Sequence, residues 1–257
     1  MTAAAASWSD WLARWERFQE SYVPHRELQL NLIADYVELQ AGDGLSVLDL
    51  CSGPGSAARR LLQRLPAAEV VAVDCDPWLL ALGEGFAPEA ERIAWVEADL
   101  RDELWTAALP RLEFDAVVAT TAMQWFTSDE IARIYRDVHR CLRPGGVFLS
   151  SDVIPSGDFE ARRLLERANQ RWRERARTTP TGEHWATFWA AARKEPAFAE
   201  LLTERDRRLN GRFPLAPRDI SFHDQALRAA GFNAVGEVWR HHANAIVLAL
   251  REKSHAE

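Results

Sequence analysis

Cysteine is scarce in this chain. Cys51, Cys75 and Cys141 are spread widely over 257 residues. An odd number at such spacing makes neither a disulfide framework nor a zinc cluster, so a reducing, cytoplasmic setting and no metal are expected. No long apolar run is present, so no helix is expected to span a membrane. The opening stretch MTAAAASWSDW lacks a charged segment followed by a long apolar one, and no signal peptide is expected. Positive charge is also in deficit. The net charge of −7 and pI near 5.6 argue against a dedicated nucleic-acid binder, although a local basic face remains open. No internal repeat appears, and Ala3–Ala6 is the one low-complexity tract.

Hydrophobic residues are plentiful. At 47% of the chain they can fill a core without metal or disulfide staples, and the length suits one α/β domain with an elaboration. The organising stretch is Ser46 to Ser56. An apolar run, Val47-Leu48-Asp49-Leu50, enters a turn at Gly53-Pro54-Gly55, and a helical pattern follows from Ala57. Glycines let a ligand approach the backbone, and the helix N-terminus adds unpaired N–H groups and a positive dipole end. Such a turn also fits a dinucleotide pyrophosphate, or a tight connection with no ligand.

The rest of the chain narrows the choice. Trp8, Trp11, Trp15, Phe18 and Tyr22 recur at helical spacing, an aromatic face that packs on the domain or covers a mouth. Pro24 breaks that helix, and a second runs from Arg26 to Leu39 before a turn at Gly42-Asp43-Gly44. Short apolar runs at Val70–Val73, Ile93–Val96, Phe114–Ala119 and Val147–Ser150 read as buried strands. Helices are expected between them at Ala57–Leu65, Trp78–Gly83, around Arg101–Ala108 and at Ile131–Leu142. Thr127-Ser128-Asp129-Glu130 forms a capping cluster before the last of these. Alternating strands and helices imply βαβ units and a parallel sheet, with ligands beyond the carboxyl ends of the strands. Asp74, Asp99, Thr120 and Asp152 all fall at such ends.

From Pro155 to Pro217 this alternation stops. Phe159–Arg177 reads as an arginine-rich helix whose plainest role is a solvated face. Trp185, Phe188 and Trp189 form one apolar helical face, and Phe198, Leu201 and Leu202 another. Afterwards Phe222–Ala230 reads as a helix stopped by Gly231. Val235–Trp239 and Ala245–Leu250 read as a hairpin across His241–Asn244.

VLDLCSGPGS, VVAVDCDP, VEADLRD, FDAVVATTAMQWF and LRPGGVFL stand in order. Together they resemble the class I S-adenosylmethionine-dependent methyltransferase family over roughly residues 47 to 151. The resemblance implies an α/β, Rossmann-like fold. Its seven-stranded sheet is mostly parallel and ends in an antiparallel hairpin, with helices on both faces. Residues 1–257 would form a single domain with an N-terminal helical cap (1–40) and a helical insertion after strand five (155–217). The family usually has a glycine where this chain has Cys51, but Gly53 and Gly55 should preserve the turn.

The resemblance also implies an enzyme with S-adenosyl-L-methionine as cofactor. Asp49, Cys51, Gly53 and Gly55 would lie at its amino-acid end. Asp74 would grip the ribose hydroxyls, and Cys75, Asp99 and Leu100 would surround the adenine. Thr120 would pass beneath the methionyl part, with Tyr22 and Arg26 contributing from the cap. On the acceptor side, Gln124, His25, His184 and His223 are the candidate catalytic groups. Trp125, Trp185 and Trp189 are the candidate pocket, roofed by the insertion. No Asn-Pro-Pro-Tyr-type motif follows strand four, so a small-molecule acceptor at oxygen or carbon is expected. The chain end from His223 is loosely similar to the enzyme making carboxy-S-adenosylmethionine. An RNA-modification enzyme of the wobble-uridine type is therefore an alternative, as is a non-catalytic cofactor scaffold. Asp49, Asp99 and the Arg-Pro-Gly-Gly turn count against a nicotinamide dehydrogenase.

Overall fold

The computed structural model describes residues 7–40, 44–87, 89–178 and 183–253. The expected turn residues Gly42 and Asp43, and the alanines Ala3–Ala6, lie outside these. Seven strands form one sheet in the order β3-β2-β1-β4-β5-β7-β6. They are β1 (Ser46–Leu50), β2 (Glu69–Asp74), β3 (Ile93–Glu97), β4 (Phe114–Thr120), β5 (Leu142–Val153), β6 (Ala234–His241) and β7 (Asn244–Leu250). Strands β1 to β5 pair in parallel, and β7 runs antiparallel to both β5 and β6. The strand order reverses between β1 and β4, and a crevice opens at the carboxyl ends there.

The helices are α1 (Trp8–Glu20), α2 (Arg26–Glu38), α3 (Ser56–Arg64), α4 (Pro77–Phe86) and α5 (Ser128–Cys141), followed by α6 (Phe159–Arg177), α7 (Trp185–Ala192), α8 (Ala199–Leu209) and α9 (Ile220–Ala229). Alternation along the strands sends Leu48, Leu50, Val117, Ala119 and Phe148 to one face, against α5 and α9. It sends Val47, Val70, Ala72, Val118 and Leu149 to the other, against α2 and α3. The capping box expected before α5 is present: Thr127 Oγ1 accepts from Glu130 N, and the Glu130 carboxylate accepts from Thr127 N.

One expected helix is absent. Residues 101–108 form turns and a short 3-10 helix, Trp105–Ala108. Asp99 accepts from the backbone N–H of Arg101, and Asp102 from that of Leu104, at 2.9 Å each. Such Asx turns divert the backbone from helical pairing.

A third core is rich in aromatic residues. It joins Trp11, Trp15 and Phe18 of α1 to Trp78 of α4, Phe188 and Trp189 of α7, and Phe198 before α8. Phe18 and Phe188 stack with centroids 4.6 Å apart, and Trp78 meets Trp189 edge-on at 5.3 Å. The N-terminal cap and the insertion thus bury each other's apolar faces beside α4. Among the described residues, no helix is long and apolar enough to cross a membrane, and no cluster of His, Cys, Asp or Glu could hold a metal ion.

Candidate functional site

The chain leaves β1 through a turn in which Cys51, Gly53 and Gly55 all have positive φ, at 51°, 55° and 72°. Cys51 therefore keeps the conformation that a glycine would take freely, at a cost on the order of 1 kcal/mol. Gly55 is required twice over: a Cβ there would also stand 2.6 Å from the Trp95 ring. Trp15 of α1 lies over Gly53. Asp49 is wholly buried in β1, and its Oδ2 accepts from Ala58 N at 3.1 Å. Its Oδ1 has no partner. Burial, with a smaller contribution from the Asp74 charge, pushes this carboxyl up to about 7.

Asp74 ends β2 beside that turn. Its Oδ2 accepts from Gly53 N at 2.7 Å and its Oδ1 from Asp76 N at 2.8 Å. The acid stitches the two turns together, and burial pushes it up to about 6. A carboxylate offers about four lone-pair positions, so acceptor capacity remains for two hydroxyls. Cys75 is half-buried, and burial followed by the charge of Asp74 pushes its thiol up to about 12. It stands as a neutral, polarisable wall. Asp99 follows β3 with Leu100 buried beside it. Arg212 Nη1 donates to Asp99 Oδ2 at 2.6 Å. Although partial burial works the other way, Arg212 and the Arg101 N–H hold this carboxyl below its ordinary value. A cavity of about 570 Å³ opens here, lined by Cys75, Asp99, Leu104, Trp105, Arg208 and Arg212 among others. Thr120 ends β4, on the far side of β1 from these strands.

On the other side of β4, Asp152 of β5 holds the turn that carries Gln124. Its Oδ2 accepts from Gln124 N at 3.3 Å and its Oδ1 from Val153 N at 2.7 Å. Burial pushes it up to about 6. The Gln124 carbonyl accepts from Leu215 N at 2.7 Å. The structure does not bring the four expected catalytic groups together. His223 is buried, its Nδ1 shares a 2.6 Å hydrogen bond with the Tyr135 hydroxyl, and burial brings it down to about 4. It borders a water-sized cavity of about 10 Å³ together with Gln124 and Asp152. His25 lies exposed at the start of α2, its ring against His241 and Trp239. His184 lies exposed at the start of α7.

The expected roof also falls elsewhere. Trp125 packs with the core under α5, whereas Trp189 belongs to the aromatic core, with the Arg205 guanidinium 3.8 Å above its ring. Trp185 is 39% exposed and borders Phe18, Tyr22 and Trp189. The apolar face of α7 meets the equally apolar face of α1, and burying both outweighs leaving either over an open mouth. Tyr22 accepts from Trp185 N at 2.5 Å through its hydroxyl. Arg26 is buried and paired to Glu16, which also accepts from Arg59 and Ser56. Burial raises the Glu16 carboxyl, but Arg26, Arg60 and Arg59 outweigh it and hold the group down to about 2. Glu16 and Arg212 are site neighbours that the motifs do not contain. Only their paired charges, far apart in sequence, could have signalled them.

A zwitterionic, sulfonium-bearing nucleoside fits these groups. The unpartnered Asp49 Oδ1 suits an ammonium, and the left-handed turn leaves backbone open to approach. Residues 47–146 match the family model described as a methyltransferase domain. The chain is 34% identical over 133 residues to a trans-aconitate 2-methyltransferase of Azoarcus, covering 52% of this chain and 48% of that protein. It is 32% identical over 147 residues to a malonyl-[acyl-carrier protein] O-methyltransferase of Halorhodospira halophila, covering 57% and 48%. The matches thus span about half the length of these relatives. Human N-acetylserotonin methyltransferase in complex with SAM shares the fold, with a TM-score of 0.53 at 14% identity, covering 93% of this chain and 57% of that one. Motif order and sheet order agree with these matches, and residues 47–146 form a methyltransferase domain of the class I S-adenosylmethionine-dependent kind.

Proposed function

We propose that this protein transfers a methyl group from S-adenosylmethionine to an oxygen or carbon of a small acceptor, with a carboxylate oxygen the best-supported target. The observation that carries the reading is the turn after β1, with its three left-handed residues and the unpartnered Asp49 Oδ1 beside it. The cofactor supplies an electrophilic methyl on a sulfonium. Asp49 holds the amino-acid end, Tyr22 and Arg26 contribute from the cap, and Asp74 accepts from the ribose hydroxyls. Cys75, Asp99 and Leu100 hold the adenine, and Thr120 lies along the methionyl chain.

A carboxylate acceptor arrives already ionised and needs alignment rather than a general base. That accords with His223, which is kept neutral and hydrogen-bonded to Tyr135. It also accords with the two relatives, since trans-aconitate and malonyl groups both carry carboxylates. Gln124 and Trp125, on the turn held by Asp152, border the place where the acceptor must enter. The test is twofold. Calorimetry should show binding of S-adenosylmethionine and S-adenosylhomocysteine but not of NAD. A panel of di- and tricarboxylic acids should release S-adenosylhomocysteine, with ester formation detected by mass spectrometry. Absence of cofactor binding overturns the reading. Transfer to amines or RNA alone overturns the acceptor class.

A further inference from the structure

The adenine end of the crevice is crossed by a segment of the insertion. Helix α8 stops at two consecutive left-handed residues, Asn210 with φ 38° and Gly211 with φ 72°. The chain then runs without regular structure to α9. Three contacts tie this strap across the carboxyl ends of β3 and β4. Arg212 donates to Asp99, Leu215 N donates to the Gln124 carbonyl at 2.7 Å, and Arg218 donates to Ser128 Oγ at 2.7 Å. Behind the strap, Arg208 reaches Glu97 at 2.7 Å. The strap carries a large apolar side chain in the open, Phe213 at 75% exposed, and its Asn210 and Arg212 line the cavity whose wall includes the 74% exposed Leu104.

The two ends of the strap differ in what holds them. Leu215 is tied to a backbone group on a turn that the buried Asp152 fixes. Arg212 is tied to a side chain on the cavity wall, in an ion pair about one-third exposed on each side. Asp99 has one oxygen on Arg101 N and the other on Arg212. An adenine amino group reaching Asp99 must therefore enter past Arg212 or share its carboxylate.

Resting on the cofactor reading above, we propose that Arg212 is a cofactor-site residue: it latches the 210–218 strap to Asp99 across the adenine subsite, so that the strap opens to admit the nucleoside and closes over it. Asn210 and Gly211 form the hinge, and the Leu215–Gln124 bond is the fixed end. Ion pairing gives the latch its strength, so salt weakens it.

The test uses the full-length protein and S-adenosylhomocysteine as the probe. Stopped-flow fluorescence should show association and dissociation rates that both rise roughly two- to fivefold in Arg212→Ala, the range of a part-exposed ion pair. Arg212→Lys should fall between the two. Raising the salt concentration should speed exchange in the natural protein more than in Arg212→Ala. Hydrogen exchange on the cofactor-free protein supplies an independent arm, in which the amide of residue 212, bonded to the Leu209 carbonyl, should lose protection in Arg212→Ala while those of Leu215 and β4 do not. Unchanged rates and unchanged protection overturn the latch. Faster dissociation with unchanged association also overturns it, because Arg212 would then be an ordinary contact. If the natural protein binds no S-adenosylhomocysteine, the cofactor reading fails, and the exchange arm still decides whether Arg212 holds the strap.

Discussion

Replacing Asp49 with asparagine should strengthen the cofactor-free protein and weaken its hold on the cofactor. Asparagine keeps the shape and the acceptor for Ala58 N but removes a charge that is buried with one oxygen unpartnered. Burial raises this carboxyl from 3.8 to about 7. That is roughly three pH units, and at about 1.36 kcal/mol each the ionised form costs the fold about 4 kcal/mol. The sign follows from the direction of the shift. Below pH 3.8 the group is protonated whether the chain is folded or not, and the substitution changes nothing through charge. As pH rises through the window from 3.8 to about 7, the unfolded chain releases its proton and the folded one retains it, so the natural protein loses stability. Above about 7 the cost is complete. Asp49→Asn should therefore be more stable by up to about 4 kcal/mol at pH 8, with the gain fading toward pH 4.

Urea unfolding of both proteins at a series of pH values, without cofactor, measures that difference. The difference isolates Asp49, because Asp74, Asp152 and His223, which also titrate abnormally, remain in both. Cofactor affinity should move the opposite way, falling by roughly 1.5–3 kcal/mol for the lost charged hydrogen bond. A variant that is less stable at pH 8, or equally stabilised at pH 4 and pH 8, would refute the reasoning. So would an unchanged cofactor dissociation constant.

Asp74→Ala removes the stitch between the two turns as well as the ribose acceptor. It should weaken cofactor binding by roughly 2–4 kcal/mol and lower the melting temperature, whereas a loss of stability with unchanged affinity would leave Asp74 only structural. Cofactor binding should release protons between pH 5 and 7, because Asp49 and Asp74, raised to about 7 and about 6, ionise against a cation. Calorimetry in buffers of different ionisation enthalpy reads that release, and identical heats at pH 6 would exclude it. Trp189→Ala should cost roughly 3–5 kcal/mol of stability, as for a large aromatic removed from a packed core, and a selective rise in acceptor KM at normal stability would return Trp189 to the acceptor pocket. Tyr135→Phe leaves the buried His223 Nδ1 without its partner and should cost about 1–3 kcal/mol by chemical denaturation, with turnover per folded molecule preserved if His223 is no base.

The sheet could be read from the chain because its signals are local. Each buried strand is a short apolar run bounded by turn residues, and the motif order then sets the strand order. The turn after β1 was equally open to reading, down to the survival of its geometry at Cys51, because Gly53 and Gly55 supply the left-handed conformations around it. Partners could not be read in the same way. The spacing of Phe188 and Trp189 says that one face of α7 is buried, but nothing in that spacing says that α1 and α4 bury it. Arg212 and Asp99 stand 113 residues apart, and no period links them. The failed helix at 101–108 lies between these cases. Its cause is local, two aspartates each accepting from the backbone two residues on, but helical spacing hides side-chain competition of that kind.

Three acids around the crevice stand apart from its ion pairs. Asp49, Asp74 and Asp152 stand buried at the carboxyl ends of β1, β2 and β5, and burial raises all three. Arginines gather instead on Glu16, where Arg26, Arg59 and Arg60 converge on one carboxylate beside the start of α3. Three raised acids without a nearby cation are costly in a resting protein, since each ionised group loses its water and Asp49 and Asp74 also meet like charge. The cost falls if a ligand brings positive charge to that place, and a sulfonium with an ammonium beside it brings two. An anionic dinucleotide could still offer ribose hydroxyls to Asp74 but would bring no net positive charge to offset the three acids. The same arrangement bears on the acceptor. If the acceptor is the proposed carboxylate, it pays repulsion on approaching the acids until the methyl-bearing cation is in place, so the cofactor's charge should be what admits it. For such an acceptor, electrostatics predicts an order of binding with the cofactor first and the acceptor second.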